Sequence, residues 1–228
     1  MLGALIAIST GGGLVLGAQV VGASTPPPTV TGMSSSGYNY SFASTAGGQP
    51  IIIYGTNLVD VTAIDFGSIP GTDIQCFGDT CDVVAPPAAM PSTVFVTVTT
   101  AGGTSATYNG AGDELIYRYP TNLTAAPAIL SVSPLTLSLL TLTATLTGPH
   151  GPVSGANVTF TVQISPARRD SPGSFQTLCT TTTNSKGVAT CAAASSALQL
   201  IDANGYRVGS DPTATQLPTF GTAPLLIL

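Results

Sequence analysis

Thr141-Leu142-Thr143-Ala144-Thr145-Leu146-Thr147 and Asn157-Val158-Thr159-Phe160-Thr161-Val162-Gln163-Ile164 decide the fold class. In both stretches every second residue is apolar, the period a strand needs when one face meets a core and the other meets water. Threonine supplies most of the wet face. The segment between them, Gly148-Pro149-His150-Gly151-Pro152-Val153-Ser154-Gly155, consists largely of residues that reverse a chain. The same alternation returns in Val94-Phe95-Val96-Thr97-Val98-Thr99, where the valines share one face. Turn clusters at Gly47-Gly48, Gly55-Thr56-Asn57, Gly67, Gly71, Pro86-Pro87 and Gly102-Gly103 separate further short strands, a spacing that reads as a β-sandwich.

A chain of 228 residues has room for two domains of ordinary size. Thr, Val, Ile, Tyr and Phe recur throughout, whereas Lys, Glu and Arg, the usual coat of a surface helix, are scarce. Only 7% of residues are charged, so the surface is covered mainly by Thr, Ser, Asn, Gly and Ala. Such a neutral surface suits a glycosylated, assembled or cell-displayed protein. The net charge is −5 with five basic residues in all, too few to neutralise a phosphate backbone, so nucleic acid is excluded as a partner.

Residues 1–25 begin with an uncharged apolar run and enter Thr25-Pro26-Pro27-Pro28. A secretory signal cleaved after Ala23 is one reading, although a basic leading region is missing. A retained anchor or assembly helix is a second, with Gly11-Gly12-Gly13 against it, and a buried strand pair is a third. A membrane partner is expected only if the segment is retained.

Cys76, Cys81, Cys179 and Cys191 divide into two local pairs, usage that fits an oxidising compartment and hence an extracellular location, secreted or at the cell surface. The turn around Ser185 predicts a hairpin that sets Cys179 opposite Cys191. Loop closure makes that bridge worth roughly 3 kcal/mol and the shorter Cys76–Cys81 bridge about 2 kcal/mol.

Several pieces of the first half, in order, resemble the IPT/TIG immunoglobulin-like family. They are Pro28-Thr29-Val30, Gly47-Gly48, Ile51 to Leu58, Ile64-Asp65-Phe66-Gly67, Val84-Ala85-Pro86, Val94-Val96-Val98 with Gly102 to Ser105, and Ile116-Tyr117-Arg118-Tyr119. In the second half, the two opening strands, Thr183 to Thr190, Ala203-Asn204-Gly205-Tyr206 and Ala223 to Leu228 are similar to bacterial Ig-like domains of invasin- and intimin-type adhesins. The resemblances imply an all-β chain of two tandem immunoglobulin-like β-sandwiches, at 26–120 and 127–228, behind an apolar N-terminal segment. Residues 121–126 then read as a linker, bounded by Pro120 and Pro127, on which the modules hinge.

Catalysis finds little to work with. His150, the sole histidine, sits in a Gly/Pro turn where exposure is the ordinary state. Asp113-Glu114 and the Asp73, Asp79 and Asp82 group read as solvated loop carboxylates rather than an acid–base pair. The same loops lack the spaced aspartates of a calcium site, and Cys76 and Cys81 lack a second pair at zinc spacing, so no metal or cofactor is expected. Leu217-Pro218-Thr219-Phe220-Gly221 departs from a sorting signal and reads as the loop into the last strand, while Asn39, Asn122 and Asn157 open N-x-S/T triplets.

The sequence therefore reads as a non-enzymatic surface protein for adhesion or ligand binding, with cell-surface ligands or other protein subunits as partners. A protomer of an extracellular filament or surface layer is the alternative, and a carbohydrate-binding accessory module a further one. Assembly would use unpaired strand edges, because the single lysine guards none of them. The chain-terminal Leu225, Leu226, Ile227 and Leu228 are the expected edge, and a homo-oligomer the expected product. Non-reducing peptide mapping is expected to return the 76–81 and 179–191 links; free thiols or a 76–179 link would overturn the pairing.

Overall fold

The computed structural model describes residues 25–35, 41–107, 112–133, 136–139, 141–165, 174–192 and 205–227. The N-terminal run 1–24 and Leu228 lie outside the described residues. All regular elements among the described residues are strands, so the protein is all-β.

The first half contributes β1 (Thr29–Ser35), β2 (Phe42–Ser44), β3 (Pro50–Thr56), β4 (Ala63–Phe66), β5 (Ile69–Pro70), β6 (Thr72–Phe77), β7 (Thr80–Val84), β8 (Ser92–Thr100), β9 (Gly103–Thr104) and β10 (Glu114–Arg118). They form one sheet in the order β1-β3-β7-β6 and another in the order β2-β10-β8-β4-β5, with β9 paired to β8. Ile51, Ile53 and Val83 of the first sheet and Ile64, Phe66, Val96, Val98 and Leu115 of the second bury into one shared core. The alternation read from Val94 to Thr99 is the cause: Val96 and Val98 point inward while Thr97 and Thr99 do not.

The second half contributes β11 (Asn122–Ala125), β12 (Ala128–Ser133), β13 (Thr136–Leu139), β14 (Leu142–Gly148), β15 (Gly151–Pro152), β16 (Asn157–Ser165), β17 (Ser174–Thr182), β18 (Val188–Cys191), β19 (Gly205–Ser210) and β20 (Thr219–Ile227). One sheet runs β11-β14-β15 with β18 also on β14, and the other runs β13-β12-β20-β19-β16-β17. Leu142, Ala144 and Leu146 face Val158, Phe160, Val162, Tyr206 and Val208 in a second core.

Three sequence expectations are corrected here. Residues 121–126 are not a linker: Asn122 to Ala125 pair with Thr147 to Ala144, and Leu123 is 4% exposed in the second core. The flanking prolines bound a strand instead of a hinge. The Leu225–Leu228 edge is not wholly free either: Leu225 to Ile227 are paired on one side, and Leu228 lies outside the described residues. β20 is paired on both sides, antiparallel to β19 and parallel to β12, where Ala128, Ile129 and Leu130 meet Leu225, Leu226 and Ile227. Finally, Cys179 and Cys191 are bonded, with Cα atoms 6.2 Å apart, but not across a hairpin. β17 pairs with β16 and β18 with β14, so this bridge staples one sheet to the other through the core. Hydrophobic contact across the sandwich outweighs the local turn. Cys76 and Cys81 are bonded as direct cross-strand partners in the β6–β7 hairpin, Cα atoms 4.0 Å apart.

Gly55 lies within β3 for reasons of space, since a Cβ there would come 2.0 Å from the Thr29 carbonyl oxygen. The halves meet where Tyr119 donates its N–H to the Thr215 carbonyl at 2.7 Å and its carbonyl accepts the Leu217 N–H at 2.9 Å.

A buried tyrosine lies in each core, Tyr117 donating its hydroxyl to the Pro86 carbonyl and Tyr206 to the Ala126 carbonyl. Burial pushes the Tyr117 phenol up to about 12 and moves Tyr206 in the same direction. Ionisation is therefore easier in the unfolded chain. The stability contributed by the buried neutral phenol is complete below the unfolded phenol's value of about 10 and is lost as pH rises towards the folded value. Urea midpoints are expected to fall between those pH values, less steeply in Tyr117→Phe. Leu123→Ala is expected to lose about 2–5 kcal/mol in the same measurement; a change near zero would restore the linker reading.

Candidate interaction surfaces

In the described ladders every register irregularity involves an edge strand and its neighbour. β1 is bulged against β3 between Val30 and Gly32, β6 against β7 between Thr72 and Gln75, and β17 against β16 between Thr177 and Cys179. A second irregularity of the β16–β17 pair places the extra residue on β16 between Gln163 and Ser165. Bulges twist an edge away from a pairing partner, the device used here in place of lysine.

On the outer face of the β20-β19-β16-β17 sheet, registers place Phe220 opposite Gly209, Gly209 opposite Thr159, and Thr159 opposite Thr180. The neighbouring row runs Thr222, Arg207, Thr161, Thr177. The Phe220 ring sets one edge against Gly209, two of its carbons 3.0 Å from where a Cβ would stand, so a side chain there would make the ring give way by a few tenths of an ångström. Phe220 remains 66% exposed. Arg207 holds its guanidinium 4.9 Å from the centre of the Phe175 ring, an arrangement that fixes a cation on a flat apolar surface. The Thr159 and Thr180 hydroxyls are 3.1 Å apart. Leu226 continues the exposed strip on β20.

The outer face of β1-β3-β7-β6 repeats the plan with the opposite charge. One row is Gly32, Tyr54, Thr80 and Phe77, and the next is Ser34, Ile52, Asp82 and Gln75. The Tyr54 ring passes 4.0 Å from where a Gly32 Cβ would stand, and its hydroxyl is 3.3 Å from that of Ser34. Phe77 is 72% exposed, at the mouth of the hairpin that Cys76–Cys81 closes. Gly78, first in that hairpin's two-residue loop, has φ of 60°, as the tight turn demands. Charge divides along the chain as well: residues up to 120 carry seven acidic groups against one arginine, a net −6, while the remainder is +1.

The other sequence candidates are dispersed. His150 is exposed and meets Tyr119 edge-on, ring centres 4.8 Å apart, at the junction of the halves. Asp113 is buried while Glu114 points outward beside Phe95, so the two carboxylates do not converge. Asp73, Asp79 and Asp82 are exposed. Among the described residues no three His, Cys, Asp or Glu side chains gather as a metal site. Thr219 to Gly221 belong to β20 itself, and Asn122 and Asn157 are exposed, while Asn39 lies outside the described residues. Arg118 stacks 3.6 Å from the centre of the Phe42 ring, and burial pulls its guanidinium below the usual value.

Sequence reading missed Phe220, Arg207, Phe175, Tyr54 and Phe77. The outward phase of Phe220-Gly221-Thr222-Ala223 was a usable signal, but which face of β20 looks outward follows from its neighbours.

No protein-family model and no curated protein matches the chain. Among solved structures it is similar to SGBP-B from a xyloglucan utilization locus of Bacteroides uniformis, at 12% identity and TM-score 0.30, covering 87% of this chain and 49% of that one. It is similar to the Yersinia pseudotuberculosis adhesin InvE at 11% and 0.27, covering 86% and 58%. It is also similar to fibronectin(III)-like modules of Clostridium thermocellum CbhA at 10% and 0.31, covering 86% and 94%. The chain thus spans about half the length of the first two, and at these values no ligand or partner carries over.

Proposed function

We propose that the chain is a tandem of two immunoglobulin-like sandwiches, displayed outside the cell, that binds ligands or partners non-enzymatically through sheet faces. The repeated strand plan supports the tandem. In each half the entering chain pairs in one sheet through β1 or β11. It then crosses to run parallel with the last strand of the other, β2 with β10 and β12 with β20. The units are best bounded at 26–120 and 121–228, the former of IPT/TIG kind and the latter of bacterial Ig-like kind. Two disulfides in a chain without free cysteine support an oxidising compartment.

One observation carries the binding role: Phe220, one ring edge against Gly209, stands exposed beside Arg207 and a threonine row on a sheet with no carboxylate at the described outward positions. A preformed aromatic and a fixed cation bind at little entropic cost. Adhesion is the role such a face serves.

The test is binding of the full chain to an array of polysaccharides and extracellular proteins. At least one ligand is expected to be retained and to weaken about tenfold or more with Phe220→Ala, a contact worth over about 1.4 kcal/mol. A response no higher than that of an unrelated β-sandwich, or one indifferent to Phe220→Ala, would remove the face from the function.

A further inference from the structure

The two outward faces are complementary, each setting one charge of opposite sign beside exposed aromatics. On β19, Arg207 stands two residues from Gly209, against which Phe220 sets a ring edge. On β7, Asp82 stands two residues from Thr80, which sits between Tyr54 and Phe77. Each face therefore sets a charge and an exposed aromatic on diagonal positions, about 7–8 Å apart at Cα. The signs are opposite. Among the described residues neither Arg207 nor Asp82 has a carboxylate or cationic partner of its own. The imbalance extends beyond the pair, from −6 in the first half to +1 in the second.

The geometry points to the acidic face of a second copy, Tyr54, Phe77 and Asp82, as the partner of the Phe220–Arg207–Phe175 face. This rests on the reading of the latter as a binding face and names what it binds. Asp82 meets Arg207 while Phe77 and Tyr54 lie against Phe220 and Phe175. The contact joins unlike faces, so each copy keeps one face free after docking. Such a heterologous contact builds rings where the rotation closes and open filaments where it does not. Its occupant is thus neither the apolar N-terminus nor a strand edge.

The experiment follows the mass of the full chain by light scattering over a concentration series. Wild type is expected to associate at low salt and to dissociate as salt is raised, since the charge term is screened. Asp82→Arg and Arg207→Glu are each expected to weaken self-association about tenfold or more. An equimolar mixture of the two is expected to regain it, because each variant retains the face that the other has lost and the reversed charges also match. Both side chains are exposed. Urea midpoints equal to wild type confirm folding, and Asp82→Asn with Arg207→Gln stand in for any reversal that fails that check. Wild type monomeric at every concentration, variants that associate like wild type, or a mixture no better than its parts would each overturn the contact. A monomeric wild type that still loses an array ligand with Phe220→Ala would overturn the partner and leave the binding face standing.

Discussion

Pairing of β20 on both of its sides is the constraint on which the second half depends. Antiparallel bonds to β19 and parallel bonds to β12 place the end of the chain inside a six-stranded sheet. That placement sends Ala223 and Leu225 into the core and Phe220 and Leu226 outward. The segment entering β20 also carries Leu217, whose N–H and carbonyl bond Tyr119 and Thr121, so the same stretch fastens one half to the other. A strand that closes a sheet, fills a core and joins two cores leaves little tolerance for change along its inward side.

Low charge shapes the rest. A chain with 7% charged residues cannot defend its sheet edges with lysine, and it bends them with bulges instead. The longest such edge, β17, is further held by Cys179, bonded to Cys191 in the opposite sheet. Covalent stapling between sheets substitutes for the stabilisation that a small core supplies only in part.

Aromatic rings set beside glycines on the outward faces of both halves follow from the same economy. A glycine in a strand weakens it, and a neighbouring ring that covers the bare backbone recovers contact while staying exposed. Phe220 sets a ring edge against Gly209, and Tyr54 comes within 4.0 Å of the place a Gly32 Cβ would take. Beside them stand one arginine and one aspartate, and in so neutral a surface single charges carry the sign of a whole face.

Local pattern determined much of this protein. Alternation in Thr141 to Thr147, Asn157 to Ile164 and Val94 to Thr99 wrote the strands and their inward sides, because side-chain direction in a strand has a period of two regardless of partner. The turns were legible in their Gly and Pro clusters, and the Cys76–Cys81 bond in the short spacing of its cysteines, while the hairpin that opposes them came from the register of β6 on β7. What the sequence did not decide was which strand lies beside which. Prolines at 120 and 127 look like the bounds of a linker until Leu123 is seen to bury against the second core. A symmetric turn between Cys179 and Cys191 looks like a hairpin until β17 and β18 go to different sheets. The exposed faces belong to this second kind, since Phe220, Gly209 and Arg207 become neighbours only through the register of β19 on β20, and register is set by non-local burial across the whole sandwich.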